Sequence, residues 1–388
     1  MRMNICELCS SISETYKDNA KKVVLINTSD VYDGKCTNHT FVDNKNLKGQ
    51  FKKTFRPNDI LYSEIRPANR RFAYIDFDTK DYIASTKLMV IRANKGVNPK
   101  YLYQLLRNNT TINTLQMLAE SRSGTFPQIT FSELSNIEID VPSEENQDLI
   151  VTILSSLDAK IETNNKLNEK LEEMAQAIFK SWFVDFEPFK DKPFHETELG
   201  MIPEGWEVGS LSDIAAITMG QSPCGTSYNE NGEGIIFYQG RTEFGFRFPS
   251  IRLYTTAPSR FAEVGSTLMS VRAPVGDINM ALLRCCIGRG VASIKSNCDC
   301  DSYIYYLMKS LKKRFDIYNG EGTVFGSVGR DTLRGMLITI PPSSVISDFE
   351  MNISKIDSRI KTNELESQRL ASLRDTLLPR LMSGELIV

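Results

Sequence analysis

The sequence predicts a protein of the α/β (α+β) class, in which two similar mixed α/β domains are joined by two long antiparallel coiled-coil helices. Three observations predict this architecture and its pseudo-twofold internal repeat. Segments of the first half of the chain recur in the second half. Short alternating apolar runs fill the first part of each copy, and a long stretch with helical apolar spacing ends it.

The internal repeat is visible in several pairs of segments. NDILYSEIRP at 58–67 resembles GSTLMSVRAP at 265–274, and LDAKIETNNKLNEKLEEMAQAIF at 157–179 aligns without a gap with IDSRIKTNELESQRLASLRDTLL at 356–378. The offset between the copies is about 206 residues early and 199 late. Both halves are therefore expected to have one fold, with small insertions in its first part.

Prolines and composition place the domain boundaries. Apolar runs such as DILYSEI and GVASIK, separated by glycine and polar clusters, are typical of short strands. Prolines precede both long helical stretches and follow the first one. We expect a first domain at 1–143, a central helix at 144–187, a linker at 188–205, a second domain at 206–342 and a C-terminal helix at 343–388.

Both helical stretches have apolar residues at steps of three and four, the spacing of a coiled-coil seam. Each stretch has about 35 residues, which predicts a spacer of roughly 50 Å. Polar residues interrupt both seams, where they set the register of the pair or mark a solvated stretch in which the helices splay. The expected pairing residues are Leu157, Ile161, Asn164, Asn168, Leu171, Ile356, Ile360, Asn363, Ser367 and Leu370.

An antiparallel pair is favoured because it makes the two ends equivalent and carries the domains apart. In that arrangement Asn164 faces Ser367 and Asn168 faces Asn363, whereas a parallel pair would place Asn164 beside Asn363. Two similar domains on a rigid spacer suit DNA, because readable base edges recur along a rod and the spacing of half-sites is geometric.

Composition argues against several other classes. The chain has 388 residues, of which 41% are hydrophobic, and the sequence contains no long apolar run and no signal peptide at its start, so we expect a cytoplasmic protein without a membrane helix. The formal net charge of −2 lacks the basic bias common in DNA-binding proteins, although charge can be segregated onto one face. The eight cysteines lack zinc-ribbon spacing and the two histidines are isolated, which favours reduced, mostly buried thiols over a metal site.

Several segments in a fixed order resemble those of the specificity subunits of type I restriction enzymes. They are SRSGTFPQITFSELSNIEIDVPSEENQ at 121–147, FKSWFVDFEPF at 179–189, LGMIPEGWEVGSLSDIA at 199–215, VGSTLMSVRAPVGDINMA at 264–281, CIGRGVASI at 286–294 and LLPRLMSGEL at 377–386. The resemblance covers nearly the whole chain. It departs at the start, where the first domain lacks the EGWE lead-in, and at 320–333, where the match is looser.

The resemblance implies a role in reading DNA. Each domain would be a target-recognition domain for one half of a split, asymmetric site on double-stranded DNA, and the helices would set the gap. The helices would also dock two modification subunits, which methylate adenine with S-adenosylmethionine. Two restriction subunits, which translocate DNA with ATP and Mg and cleave it, would complete the assembly.

The residues themselves argue against catalysis in this chain. The [DNS]PP[FY] tetrapeptide of amino-methyltransferases is missing, and Gly220 to Ser227 has the glycine spacing of a P-loop but Thr226 in place of the lysine. Glu169, Glu172 and Glu173 are expected on a solvated helix face. We therefore expect a non-catalytic subunit without a cofactor or metal of its own. The alternatives are part of a single-chain restriction–modification enzyme and a helical scaffold that binds no DNA.

Candidate DNA contacts are polar residues where the two halves differ, because residues shared by both halves cannot read different half-sites. Arginine leads because its planar fork matches guanine O6 and N7. Arg66 and Arg272 match between the copies and are assigned to phosphate contact or local structure. The full set of candidates is Lys52, Lys53, Arg66, Arg70, Arg71, Arg122, Gln128, Gln239, Arg241, Arg247, Arg252, Arg272 and Arg289.

Overall fold

The computed structural model of the chain describes residues 2–18, 20–45, 49–121, 127–319, 326–382 and 385–386. It divides into two compact units. Unit 1 comprises Met1–Thr163 and Glu366–Val388, and unit 2 comprises Asn164–Leu365. Two long helices run through the division, so that each unit contains one α/β domain and a part of both helices.

The strands and helices of the first domain follow the alternating runs of the sequence. The strands are β1 Arg2–Asn4, β2 Cys9–Ile12, β3 Lys22–Ile26, β4 Val31–Tyr32, β5 Lys35–Cys36, β6 Phe41–Asp43, β7 Phe51–Lys53, β8 Ile60–Ser63, β9 Phe72–Tyr74, β10 Tyr82–Ser85, β11 Leu88–Ala93 and β12 Glu138–Asp140. The helices are α1 Ile5–Leu8, α2 Pro99–Arg107, α3 Asn109–Glu120, α4 Phe131–Ser135 and the long α5 Glu144–Phe183.

The second domain has the same plan. Its strands are β13 Phe194–Thr197, β14 Gly200–Pro203, β15 Glu207–Ser210, β16 Ala215–Met219, β17 Tyr228–Asn229, β18 Ile235–Tyr238, β19 Leu253–Thr255, β20 Phe261–Ala262, β21 Thr267–Ser270, β22 Ile278–Met280, β23 Cys285–Ile287, β24 Val291–Ser296 and β25 Leu337–Ile340. Its helices are α6 Leu211–Ile214, α7 Asp301–Ser310, α8 Lys312–Asp316, α9 Arg330–Arg334 and the long α10 Ser343–Met382.

Sheet topology establishes that the two domains are copies of one fold. The order β2-β11-β8-β9 in unit 1 matches β16-β24-β21-β22 in unit 2. The second sheets, β6-β3-β10-β7 and β17-β19-β18-β23-β20, share a central parallel pair, β3 with β10 and β18 with β23. The predicted fold class and internal repeat are confirmed.

The first sheet of each domain lies between two apolar cores because its strands alternate. In β8, Leu61 belongs to the core shared with the second sheet, whereas Ile60 and Tyr62 belong to the core shared with the helices. In β21, Leu268 belongs to the core shared with the second sheet, whereas Met269 belongs to the core shared with the helices. This two-residue period is the one expected of a strand covered on both faces.

The two long helices pair antiparallel in each unit. In unit 1, Leu154 near the start of α5 shares a core with Leu381 near the end of α10. In unit 2, Phe183 at the end of α5 packs against Phe349 near the start of α10, with ring centroids 5.0 Å apart. Each helix has 40 residues, more than the roughly 35 used for the spacer estimate but ending before the expected limits of 187 and 388, and corresponds to about 60 Å of helix at about 1.5 Å per residue.

The polar part of the seam is buried, so the alternative of a solvated stretch is wrong. Asn363 donates through Nδ2 to Oδ1 of Asn168 at 2.8 Å, and Asn168 donates to the carbonyl of Ile360 at 3.4 Å. Asn164 donates to the carbonyl of Asn363 at 3.4 Å. The three asparagines are at most 2% exposed. The expected pairing of Asn164 with Ser367 would join residues of different units, and it stays a prediction.

The other expected pairing residues line the same seam to different depths. Ile360 is fully buried, and the half-buried ones are Leu157, Ile161, Leu171, Ile356 and Leu370. Within the described ranges, no helix combines the length and the hydropathy needed to cross a bilayer.

Candidate nucleic-acid interface

In unit 2, four loops meet at one edge of the domain, where the parallel strands β18 and β23 both end. We call this the unit-2 edge; it comprises residues 220–222, 239–241, 271–273 and 288–290. The amide of Gly290 donates to the carbonyl of Gln239 at 3.3 Å, and the amide of Val271 donates to the carbonyl of Gly290 at 3.0 Å. The backbone amide of Arg289 donates to Oγ of Ser222 at 3.3 Å.

The Gly-Arg-Gly sequence at 288–290 gives this edge its shape. A Cβ atom on Gly288 would lie 2.9 Å from the Cα of Gln239, and one on Gly290 would lie 2.8 Å from the carbonyl oxygen of Gln239. Only glycine lets the two loops approach so closely. The loop therefore lies flat against residue 239 and presents the side chain of Arg289 to solvent.

Unit 1 has an equivalent edge, the unit-1 edge, at residues 27–30, 64–71, 85–87 and 127–128. Its loops are joined by the same kinds of bond. The amide of Glu64 donates to the carbonyl of Lys87 at 3.1 Å, and the amide of Arg66 donates to the carbonyl of Pro127 at 3.1 Å. Nη1 of Arg71 donates to the carbonyl of Ser29 at 3.1 Å.

Three of the candidates in unit 2 converge on its edge with side chains available for a ligand. Gln239, Arg272 and Arg289 are exposed, and among the residues that the structure describes their side chains have no hydrogen-bond or ion-pair partner. Guanidinium and amide groups in this state can donate to base edges or to phosphates. This arrangement can bind a polar, anionic ligand such as DNA.

Other candidates are held by neighbouring side chains or carbonyls. Arg241 pairs with Asp277, and Arg252 pairs with the buried Glu243 at 2.6 Å. Both arginines stay about half exposed.

The candidates of unit 1 are divided between its edge and its second sheet. Arg66 and Gln128 lie together at the edge, where Gln128 forms a bridge with Ile65. Arg70 pairs with Asp33 at 2.9 Å. Lys53 donates to the carbonyl of Leu88 at 2.8 Å, and burial lowers the pKa of its ammonium. Lys52 is exposed beside it, and Arg122 lies outside the described residues.

Arg247 is not a DNA contact, which corrects the sequence interpretation. Its side chain is 1% exposed and forms ion pairs with Glu172 of α5 and with Asp357 of α10, the latter at 2.7 Å. It also donates to the hydroxyl of Tyr306 at 2.6 Å. A guanidinium enclosed in this way cannot reach DNA, and it instead ties the second domain to both helices.

Glu172 is the other correction at this place, because it is buried rather than solvated. It accepts from Arg247, and from Lys309 of α7. Burial alone would raise the pKa of Glu172, but the charges of Arg247 and Lys309 outweigh that effect and lower the pKa to about 2. We call Glu172, Arg247, Tyr306, Lys309 and Asp357 the unit-2 clamp.

A matching cluster, the unit-1 clamp, joins the first domain to the helices. Asp158 of α5 accepts from Arg107 of α2 at 2.9 Å and from Arg374 of α10 at 2.7 Å. Asp158 and Asp357 occupy equivalent positions in the two long helices, which align without a gap. Each domain is thus fixed by a partly buried carboxylate at the same helix position.

The strand register also corrects the equivalence of Arg66 with Arg272. Ile65 bridges to Gln128 and Arg272 bridges to Ser327, so Arg272 corresponds to Ile65. Arg66 corresponds to Ala273, since each precedes the proline that ends its segment. The two arginines are therefore not equivalent and can differ in role. Their assignment to phosphate contact or local structure rested on a match between them, and that reason no longer holds.

Sequence reasoning missed Lys87, and it did not anticipate that the clamp residues join the second domain to the helices. Lys87 lies in the unit-1 edge, between β10 and β11, where the copy in unit 2 has Gly290. The sequence signal for Lys87 is that the two halves carry different residues at this position. That difference is visible only when the two segments are aligned in the correct register.

In the described part of the chain, no group of three or more metal-ligating side chains lies close enough together to hold a metal ion. All eight cysteines are free thiols, and four of them are buried.

Comparison with known proteins gives a consistent result. The model of the type I restriction modification DNA specificity domain matches residues 4–173. The chain is 30% identical to the type I restriction enzyme HindI specificity subunit of Haemophilus influenzae, over 98% of each chain. It is 33% identical to the putative type I restriction enzyme MjaX specificity subunit of Methanocaldococcus jannaschii, over 85% of this chain and 79% of the relative.

A solved structure supports the fold alone. The type I restriction-modification system S subunit from M. genitalium is 15% identical and superposes with a TM-score of 0.54, over 98% of this chain and 96% of that one.

Proposed function

We propose that this chain, which belongs to the family of type I restriction enzyme specificity subunits, selects the DNA sequence on which a restriction–modification complex acts. The observation that carries the proposal is one fold present twice, with different polar side chains at equivalent edges and a shared pair of helices. Each edge would read one half of a split, asymmetric site. The helices would set the gap between the halves.

Chemistry at the two edges supports direct reading of bases. The exposed donors of Gln239, Arg272 and Arg289 suit the acceptors of the major groove, where each base pair presents a distinct pattern. In unit 1 the corresponding positions carry other side chains, with Lys87 where unit 2 has Gly290 and Ile65 where it has Arg272. Two different half-sites follow from two different edges.

The helices also offer a repeated docking site for a partner. Met174 and Leu373 occupy equivalent positions in the two long helices and are 54% and 46% exposed. Two equivalent apolar side chains on the outside of a helix pair suit two copies of one partner. We propose that each receives one modification subunit, which would carry S-adenosylmethionine and methylate adenine. Two restriction subunits with ATP and Mg would complete the assembly in the cytoplasm.

Substitution at these two positions tests the docking proposal. Met174→Asp and Leu373→Asp each place a charge in one proposed contact. Each single variant should bind one modification subunit fewer than wild type, and the double variant should bind none, as measured by the mass of the purified complex. Retention of both partners by the double variant would contradict this docking site.

Deleting the gene tests the function. Methylome sequencing of the host should show that one split adenine motif loses its methylation and regains it when the gene returns on a plasmid. The purified chain without partners should have no methyltransferase, ATPase or nuclease activity. Methylation of DNA by the isolated chain, or an unchanged methylome, would overturn the proposal.

A further inference from the structure

We propose that the turn between α7 and α8 is a second DNA contact, which binds the phosphodiester backbone rather than base edges. This inference rests on the proposed function and assigns a new surface to it. We call the exposed residues that carry it, Lys312, Lys313 and Arg314, the basic turn. None of them was a candidate on sequence grounds.

Charge distinguishes this turn from its counterpart in the first domain. Residues 309–316 read KSLKKRFD and contain four cations and one carboxylate, Asp316. The matching residues 107–114 read RNNTTINT, whose single cation, Arg107, is 7% exposed and held by Asp158. The basic turn is thus a property of unit 2 alone, in a chain whose formal net charge is −2.

Hydrogen bonds connect the basic turn to the unit-2 edge. Nζ of Lys312 lies 3.2 Å from Oδ1 of Asp277, and Arg241 bonds the other carboxylate oxygen. Arg241 belongs to the same loop as Gln239, and Asp277 closes the hairpin that begins with Arg272. DNA that lies on the edge would therefore continue over the turn.

Packing holds the turn and the hairpin in one position. Gly276 has a φ of +90°, and a Cβ atom on it would lie 2.8 Å from Cβ of Phe315 in α8. Asn319 accepts from the amide of Val275 at 2.6 Å and donates to its carbonyl at 3.0 Å. Because these contacts fix the backbone on both sides, a bound ligand would have to order the side chains of the cations but not the backbone that carries them.

The cations keep donors free for a ligand. The side chains of Lys312 and Arg241 are 57% and 52% exposed, and each uses only part of its donors on Asp277. A shallow cavity between them is lined by Arg241, Lys309, Lys312, Phe244 and Gly276, among others. Asp277 orients the side chains of Arg241 and Lys312 beside this cavity. Because one carboxylate faces two cations, the net positive charge at this place favours binding of an anion.

A phosphodiester backbone is the anion that this surface suits best. The ammonium groups of Lys312 and Lys313 are compact charges without the planar fork of donors that arginine has, which suits phosphates and does not discriminate between bases. Its position next to the edge would place it on phosphates that flank the half-site read by unit 2. It should therefore strengthen binding to every sequence and leave the methylated motif unchanged.

The experiment measures how DNA affinity depends on salt. The full chain, co-purified with its modification subunits, is titrated with a duplex that carries its methylated motif and with a scrambled duplex, at several salt concentrations. Lys312→Gln with Lys313→Gln should flatten the plot of log affinity against log salt by up to about 1.8 on both duplexes, since each phosphate contact contributes about 0.9. Lys190→Gln with Lys192→Gln removes the same charge from exposed linker positions of the same unit and should leave the slope at its wild-type value.

The outcomes separate this inference from the proposed function. If the wild-type complex does not prefer its motif duplex, the proposed function fails and this inference falls with it. If the preference is present and the Lys312/Lys313 variant keeps the wild-type slope, the inference alone is overturned. The same holds if that variant keeps the slope but loses its modification subunits, because the turn would then bind an acidic protein surface.

Discussion

Arg247 and Arg289 lie in the same domain but in opposite environments. Arg247 is enclosed by carboxylates and tyrosines from three helices, whereas Arg289 projects from a glycine-flanked loop into solvent. Both arginines lie in segments rich in aromatic residues or glycine, so the sequence alone makes them equally good candidates for contact with DNA. Burial decides which arginine holds the fold and which can meet a ligand.

Removing Arg247 should destabilise the protein strongly. Arg247→Met would leave Glu172 and Asp357 close together and without their shared cation. Breaking a buried ion pair on one side costs about 3–5 kcal/mol, because the remaining charge is uncompensated. Thermal or denaturant unfolding of the full chain measures the loss.

Arg289→Met is the matched control for that substitution. It removes the same charge from an exposed side chain without a side-chain partner in the described structure, so stability should change by less than about 0.5 kcal/mol. Specific DNA binding should instead fall. Equal unfolding midpoints for the two variants would contradict the assignment of Arg247 to the clamp.

Glu364 predicts a pH dependence of stability in the same region. Burial raises the pKa of its carboxyl to about 7, although hydrogen bonds from the amides of Arg247 and Phe248 lower it in part. Because the folded state holds this proton more tightly than the unfolded state, the stabilisation is present below about pH 4.5 and is lost as pH rises through about 7. The lost stabilisation is on the order of 3 kcal/mol, at about 1.4 kcal/mol for each pKa unit.

Substitution of Glu364 by glutamine isolates this effect. Glu364→Gln keeps the size and the acceptor oxygen but cannot titrate, so its unfolding midpoint should vary less between pH 5 and pH 8 than that of wild type. Glu172 titrates far below this window, since its pKa is about 2, and does not interfere. A variant with the full wild-type pH dependence would show that another group titrates.

At the scale of secondary-structure elements, the long helices were the most predictable part of the chain. Their copies align without a gap, so the apolar spacing of one predicts the other, and the polar residues Asn168 and Asn363 mark the buried seam. The strands were less predictable. A one-residue slip in a strand reverses every side chain, and the equivalence of Arg66 with Arg272 failed for that reason.

The helix pair should act as the ruler between the two half-sites. One heptad inserted after Lys166 in α5 and after Leu365 in α10 adds about 10 Å while keeping the seam in phase. The unspecified gap of the methylated motif should lengthen by up to about three base pairs, at about 3.4 Å per base step. Methylome sequencing of a strain that carries the variant, with modification activity retained, measures the gap; an unchanged gap would mean that the helices do not set it.

At the scale of the whole molecule, the repeat would allow one chain to read two sequences, as we propose. Both domains use the same sheets and the same carboxylate position on the helices, so the scaffold is shared. The edges differ, with Gly-Arg-Gly in one copy and Ser-Thr-Lys at the aligned residues 85–87 of the other. The repeat itself was readable from the sequence, whereas the loops that meet at each edge were not, because strand order brings together segments far apart in the chain.

The central claim is that each domain reads its half-site independently. Exchanging residues 206–341 for the same region of a relative with a known motif tests it directly, with methylome sequencing as the readout. The account predicts a hybrid motif, in which one half comes from the relative while the other half and the gap stay as in wild type. A motif that changed in both halves, or in neither, would contradict it.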